Sequence, residues 1–180
     1  VGDRRERDGA ERGVLMRWFW QKKPKVTPPP PPPNVKQRLS PNYAKGRPGP
    51  ITHLILHNTA GPFEPSLLRL LTPIAEVSAH YIVDRDGEAW QLVLDGDTAW
   101  HSGNREMNGK SIGIEIVAYA SKPGMTAVQA EAVLKLVRHL MEKYQIKREN
   151  ILPHRAVKAT LCPSFIWPTD QQFEQWKGTL

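Results

Sequence analysis

The sequence predicts an α/β fold, a single domain with a central mixed β-sheet flanked by helices. Three observations predict it. Apolar, strand-compatible stretches of four to eight residues recur between segments of helical period, the order mixes strands, a hairpin and helices, and no internal repeat is visible. The length of 180 residues suits one domain able to bury a core.

The chain divides by charge. Residues 1–50 hold twelve Lys or Arg against four Asp or Glu, whereas residues 51–180 hold thirteen against fourteen. No acidic residue lies between Arg12 and Phe63, and Trp18, Phe19 and Trp20 sit beside Lys22, Lys23 and Lys25 just before six prolines, Pro28 to Pro33. Such a proline run favours a semi-rigid extended spacer. Residues 1–26 are therefore read as a basic aromatic arm, 27–50 as a Pro-rich linker and 51–180 as the folded domain. The arm's charge suits an anionic polymer or membrane face, with the aromatics adding contact area. It carries no nucleic-acid recognition motif. A leader without function, or residues upstream of a start at Met16, is the alternative. The stretch "VLMRWFW" is interrupted by Arg17 and too short for a secretory signal, and no stretch approaches the ~20 apolar residues of a membrane span. The expectation is a monomer made in the cytoplasm.

Within residues 51–180, Ile51 to Leu56 is nearly all apolar, as in a strand covered on both faces. His57 falls at its C-terminal end, where open α/β sheets usually place ligands. "Pro-Ser-Leu-Leu-Arg-Leu-Leu" from Pro65 reads as a short helix. His80 to Val83 and Glu88 to Leu94 flank Asp84-Arg85-Asp86-Gly87, a hairpin signal.

Ser111 to Val117 alternates, with Ile112, Ile114 and Ile116 on one face and Ser111, Gly113, Glu115 and Val117 on the other. Gly113 leaves room for something to approach the backbone. Alone, Glu115 would read by default as a solvated glutamate on an exposed strand face. Thr126 with Gln129 opens a helix to Ile146, whose stripe is Val128, Ala132, Leu134, Val137, Leu140 and Met141. His139 within it reads as structural or solvated. Thr169 with Gln172 opens a terminal helix carrying Phe173 and Trp176.

His57, His154 and the only cysteine, Cys162, are donors of the kind zinc takes at about 2.0 to 2.3 Å. Three protein ligands would leave a position for water or substrate, as catalytic zinc does, and a lone cysteine excludes a zinc ribbon and an intrachain disulfide. Spacing alone leaves open core and surface histidines with a buried thiol.

"HLILHNTAG", "SAHYIVDRDGEAWQLV", "TAWHSG", "SIGIEIV" and "PHRAVKATLCPS", in this order, resemble the zinc-dependent N-acetylmuramoyl-L-alanine amidases of the type 2 family, which includes phage endolysins, bacterial wall amidases and peptidoglycan recognition proteins. The resemblance covers residues 51–178. It implies a peptidoglycan recognition protein/amidase-like fold, zinc held by His57, His154 and Cys162, and Glu115 as general base. It further implies hydrolysis of the amide between N-acetylmuramic acid and the first L-alanine of the peptidoglycan stem. Thr160 is matched to a threonine that would assist the oxyanion, and Trp100, His101 and His80 are read as substrate-facing, with packing or support the alternative. His80 as a fourth ligand would close the site. Lytic phage members carry a tyrosine at the position of Ala79 and a lysine at that of Thr160; their absence favours Glu115, and Tyr81 would stand in only after a displacement of roughly two strand rises. A phage or prophage endolysin acting on the wall after release is the leading expectation. A cytoplasmic muropeptide-recycling amidase and a non-catalytic peptidoglycan-binding protein are the alternatives.

Overall fold

The computed structural model describes residues 34–180; the basic aromatic arm and the proline run lie outside the described residues. A six-stranded sheet organises the fold, in the order β1 (Val35–Gln37), β5 (Ala89–Gln91), β4 (Tyr81–Val83), β7 (Ser111–Ile116), β3 (His53–Asn58), β8 (Ile151–Pro153). Only β4 and β5 pair antiparallel, through the Asp84–Gly87 hairpin, and every other neighbour is parallel, so the predicted mixed sheet is present. In the turn, the Asp84 N–H donates to the Glu88 carbonyl and Gly87 takes a φ of +86°. A side chain there would be strained by that φ and would press on the Val128 carbonyl at 3.0 Å. A two-stranded ribbon pairs β2 (Tyr43–Ala44) with β6 (Thr98–Ala99).

Period-two alternation in the two central strands sorts the sheet into unlike faces. Leu54, Leu56, Ile112, Ile114, Tyr81 and Val83 pack with Val133, Leu136, Val137 and Leu140 of helix α3 (Ala127–Tyr144) and with Phe173 of α4 (Asp170–Lys177) in one core. His57, Gly113 and Glu115 project from the opposite face. There Ile82 and Leu92 pack with Leu67 and Leu70 of α1 (Phe63–Leu71). Helix α1 begins two residues before Pro65, which sits in the first turn where its missing N–H costs no hydrogen bond. Both expected capping boxes are present, Thr126 with Gln129 and Thr169 with Gln172.

Two sequence expectations change. Residues 34–50 are not a linker: β1 is an edge strand paired with β5, and buried Asn42 donates to the carbonyls of Thr72 and Val77. The folded domain therefore begins before residue 51. The stripe of α3 is rotated from the expected one, since Val128 is 50% exposed while Val133, Leu136, Val137 and Leu140 are buried at i, i+3, i+4 and i+7. His139 is 8% exposed and belongs to the packed side. The short helix α2 (Arg105–Lys110), capped by the Asn104 side chain, has no forecast in the sequence. No helix among the described residues is long and apolar enough to cross a membrane.

Candidate metal centre and active site

The parallel register of β3 and β7 places His57 directly beside Glu115. Both side chains leave the same face, and the Nδ1 of His57 lies 4.0 Å from the Glu115 Oε1. The other two donors come from the segment after β8: His154 opens a one-turn 3-10 helix, and Cys162 follows a tight loop back toward β3. The ligand atoms of His57, His154 and Cys162 all lie within 4.8 Å of one another, with Cys162 Sγ 3.9 Å from His57 Nδ1. Thr160 sits on the rim, where its hydroxyl accepts the Cys162 N–H at 3.2 Å and so shapes the turn that presents the sulfur.

These residues fit a metal ion. The far nitrogen of each histidine is already engaged, His154 Nε2 with the Ser102 carbonyl at 3.0 Å and His57 Nε2 with His101 Nδ1 at 3.1 Å. This leaves Nδ1 of both rings for the centre, and ligating histidines are commonly held in this way by their second nitrogen. The backbone N–H of Asn58 donates to Cys162 Sγ at 3.3 Å, as it would to a thiolate. Burial lowers the pKa of both histidines, His57 well below its ordinary value and His154 below it. Burial pushes the Cys162 thiol up to about 12, with the Glu115 charge adding to it, and pushes Glu115 up to about 7. A site that resists holding anions while presenting a sulfur and a carboxyl is one that a cation would relieve. Glu115 Oε2 is buried without a hydrogen-bond partner, aimed into the same space.

A cavity of about 290 Å³ opens on this centre. Its walls carry Thr160, Ser78, Trp100 and, from α1, Ser66 and Arg69. Trp100 and His101 thus reach the cleft. His80 does not: it is fully buried at 0% exposure beneath the site, Nδ1 accepts the Gly113 N–H at 3.0 Å, and Nε2 faces the Asp97 carbonyl. Burial and then the Arg47 guanidinium against the ring lower its pKa to about 3. The expectation that His80 faces substrate is corrected to a buried support, and as it is absent from the donor cluster it does not close the site. Tyr81 is excluded as a replacement proton donor, since it lies on the α3 face and gives its hydroxyl proton to Asp95. The room left by Gly113 is filled by the His101 ring, whose Cγ would stand 2.4 Å from a Cβ at residue 113.

Residues without a sequence signal complete the site. Asn108 Oδ1 accepts from the His101 N–H, the Ser102 N–H and the Ser102 hydroxyl, pinning the loop that supplies His101 and the Ser102 carbonyl. Asn58 Oδ1 accepts the Phe165 N–H and so ties the cysteine loop to the end of β3.

The model of the N-acetylmuramoyl-L-alanine amidase family designated Amidase_2 matches residues 47–165, spanning all three donors and Glu115. The chain belongs to this family. Two of its relatives are AmiD of Escherichia coli and XlyA of Bacillus subtilis, both named N-acetylmuramoyl-L-alanine amidases. AmiD is 30% identical over 69% of this chain and 53% of its own length, and XlyA is 32% identical over 81% of this chain and 51% of its own. The chain thus spans about half the length of these curated relatives. The solved catalytic domain of XlyA superposes with a TM-score of 0.65 at 29% identity, over 81% of this chain and 98% of that domain. The AmiD structure, solved with the substrate anhydro-N-acetylmuramic acid-L-Ala-D-gamma-Glu-L-Lys, gives a TM-score of 0.59 at 29% identity, over 69% of this chain and 57% of AmiD.

Proposed function

We propose that this chain hydrolyses the amide between N-acetylmuramic acid and L-alanine in peptidoglycan, using zinc held by His57, His154 and Cys162. The observation that carries the reading is the pairing of His57 with Glu115 on adjacent parallel strands, facing one cleft together with two further donors. When bound at such an open three-ligand site, zinc polarises a carbonyl and lowers the pKa of water to about 7.

The protein's own groups perform the proton movements. Glu115, whose Oε2 has no other partner, accepts a proton from the attacking water and returns it to the alanine nitrogen as the C–N bond breaks. Without that proton the nitrogen would leave as an amide anion, a far poorer leaving group. Thr160, with its hydroxyl oxygen accepting the Cys162 N–H, keeps its own proton to donate toward the carbonyl oxygen as negative charge develops there. Trp100 supplies an apolar wall. Arg69, the permanently charged cation on the cleft wall, faces the stem peptide, whose γ-linked glutamate carries a free carboxylate.

The biological setting proposed is lysis of the cell wall, as by a phage or prophage endolysin, with residues 1–26 as an electrostatic tether to anionic wall or outer-membrane surfaces. The decisive assay is release of free L-alanine amino termini from purified peptidoglycan by the zinc-loaded protein, abolished by a chelator and restored by zinc. A zinc-loaded protein that releases none rejects the reading. Deletion of residues 1–26 is expected to weaken binding to whole walls at low salt and to spare hydrolysis of a soluble muropeptide; equal wall binding with and without the arm rejects the tether.

A further inference from the structure

We propose that His101 and Ser111 are positioning residues: a one-way hydrogen-bond chain, His57 to His101 to Ser111 to the Met107 carbonyl, sets the tautomer of His57 and turns its Nδ1 to the metal. This rests on the proposed metal at His57, His154 and Cys162.

The direction of the chain follows from counting protons, beginning at its far end. Met107 lies in the last turn of α2, where backbone carbonyls lack helical partners and can only accept. The Ser111 hydroxyl lies 2.5 Å from that carbonyl oxygen, so its single proton is spent there. Ser111 Oγ is also 3.1 Å from His101 Nε2 and has only lone pairs left to offer. His101 Nε2 therefore carries the ring proton. In a neutral imidazole the other nitrogen is then an acceptor. His101 Nδ1, 3.1 Å from His57 Nε2, takes the proton of His57, whose Nδ1 is left as a bare lone pair toward Cys162 and His154. Reversing any one link would put a proton on the nitrogen that must bind metal.

The surroundings leave the chain no slack. Gly113 lets the His101 ring lie flat against β7, and Ser111 is fully buried at the start of the same strand. The planes of the His57 and His101 rings stand at 89° to one another, with their centroids 5.2 Å apart. His154 is fixed separately by the Ser102 carbonyl, which makes it an internal control.

The test uses the zinc-loaded chain and reads metal, not only activity. In 15N-labelled protein, long-range imidazole spectra are expected to show His57 and His154 both protonated at Nε2. Ser111→Ala is expected to weaken zinc affinity, measured by competition with a chromophoric chelator, by about ten- to hundredfold, the usual reach of such outer partners. It should also speed solvent exchange of the His57 Nε2 proton while leaving that of His154 unchanged, a selectivity that general loosening of the fold would not give. His101→Leu should lose more affinity than His101→Asn, whose side-chain oxygen can stand where Nδ1 accepts. The proposal is overturned if Ser111→Ala and His101→Leu both bind zinc as tightly as the parent with His57 exchange unaltered, or if His57 proves to bind through Nε2. A parent protein that binds zinc with these tautomers yet cleaves no peptidoglycan would refute the function and leave this chain of bonds standing.

Discussion

The two faces of the sheet are made by the same two strands and obey different rules. On one face Leu54, Leu56, Ile112 and Ile114 meet α3 and α4 in a dry core, held by contact area and tolerant of any arrangement that fills the space. On the other, His57, Gly113 and Glu115 lie one residue away along the same strands, where directed bonds join His57 to His101, His101 to Ser111 and the Gly113 N–H to His80. Burial stabilises the first face. On the second it disfavours charge on both Glu115 and Cys162, a cost that a cation would offset. The lesson is that stability and chemistry occupy alternate residues of one strand, so substitutions one position apart should fail in different ways.

The strongest way to break that contrast is at Glu115. Glu115→Gln keeps the shape but cannot take a proton, and hydrolysis should fall by about 10²- to 10⁴-fold while thermal stability and zinc content hold. Retained activity would remove Glu115 from the mechanism. Its neighbour on the opposite face should behave inversely: Ile114→Ala opens a cavity in the dry core and should cost about 2 to 5 kcal/mol in denaturant unfolding, with zinc affinity of the folded fraction unchanged. If zinc affinity fell in step, the two faces would not be separable.

A smaller effect tests an ionic network at the rim of the dry face. Burial alone would raise the pKa of Asp95, but hydrogen bonds from Lys143, Tyr81 and Tyr144 outweigh it and the pKa is lowered. A lowered folded value means that this contribution is fully present above the ordinary carboxylate value near 3.9 and is lost as pH falls through the folded one. Asp95→Asn should therefore cost about 1 to 3 kcal/mol at neutral pH and flatten the acid side of the stability curve below about pH 4, without changing peptidoglycan hydrolysis. An unchanged acid limb would show that Asp95 does not carry it. The smallest effect is expected at the cleft wall, where Arg69→Ala should raise KM for a stem-bearing muropeptide by about tenfold with kcat retained, and amidating the stem's free carboxylate should produce the same change in the parent enzyme. A fall in kcat alone would place Arg69 outside substrate binding.

The legible parts of this protein are those written in local pattern. Thr126 with Gln129, Thr169 with Gln172 and the Asp84–Gly87 turn each declare themselves within four residues. The alternation of Ser111 to Ile116 gives a strand and places Glu115 opposite the isoleucines. Strand β1 was illegible because three residues, mostly polar and exposed, pair on one side only and carry no alternation to detect. The stripe of α3 shifted because its phase is chosen by the sheet beneath it: Gln129, legible as a cap, is also buried and donates to the carbonyls of Val83 and Val117. His80 and His101 look alike in sequence, yet one is sealed under the site and the other reaches the cleft. Burial depth belongs to the assembled fold and not to the residue.

By itself, the sequence supplied the candidate donors, His57 and His154 with the only cysteine, Cys162, and it determined the face from which Glu115 projects, since a strand has a period of two. Only the tertiary structure decided that β3 and β7 are neighbours in a register that sets His57 beside Glu115, that Tyr81 faces away, and that His57 Nε2 is engaged by His101. Those outcomes depend on pairings between residues far apart in the chain, such as His57 with Glu115 and His57 with His101. Such partners are selected when the whole sheet closes, and no local pattern encodes them.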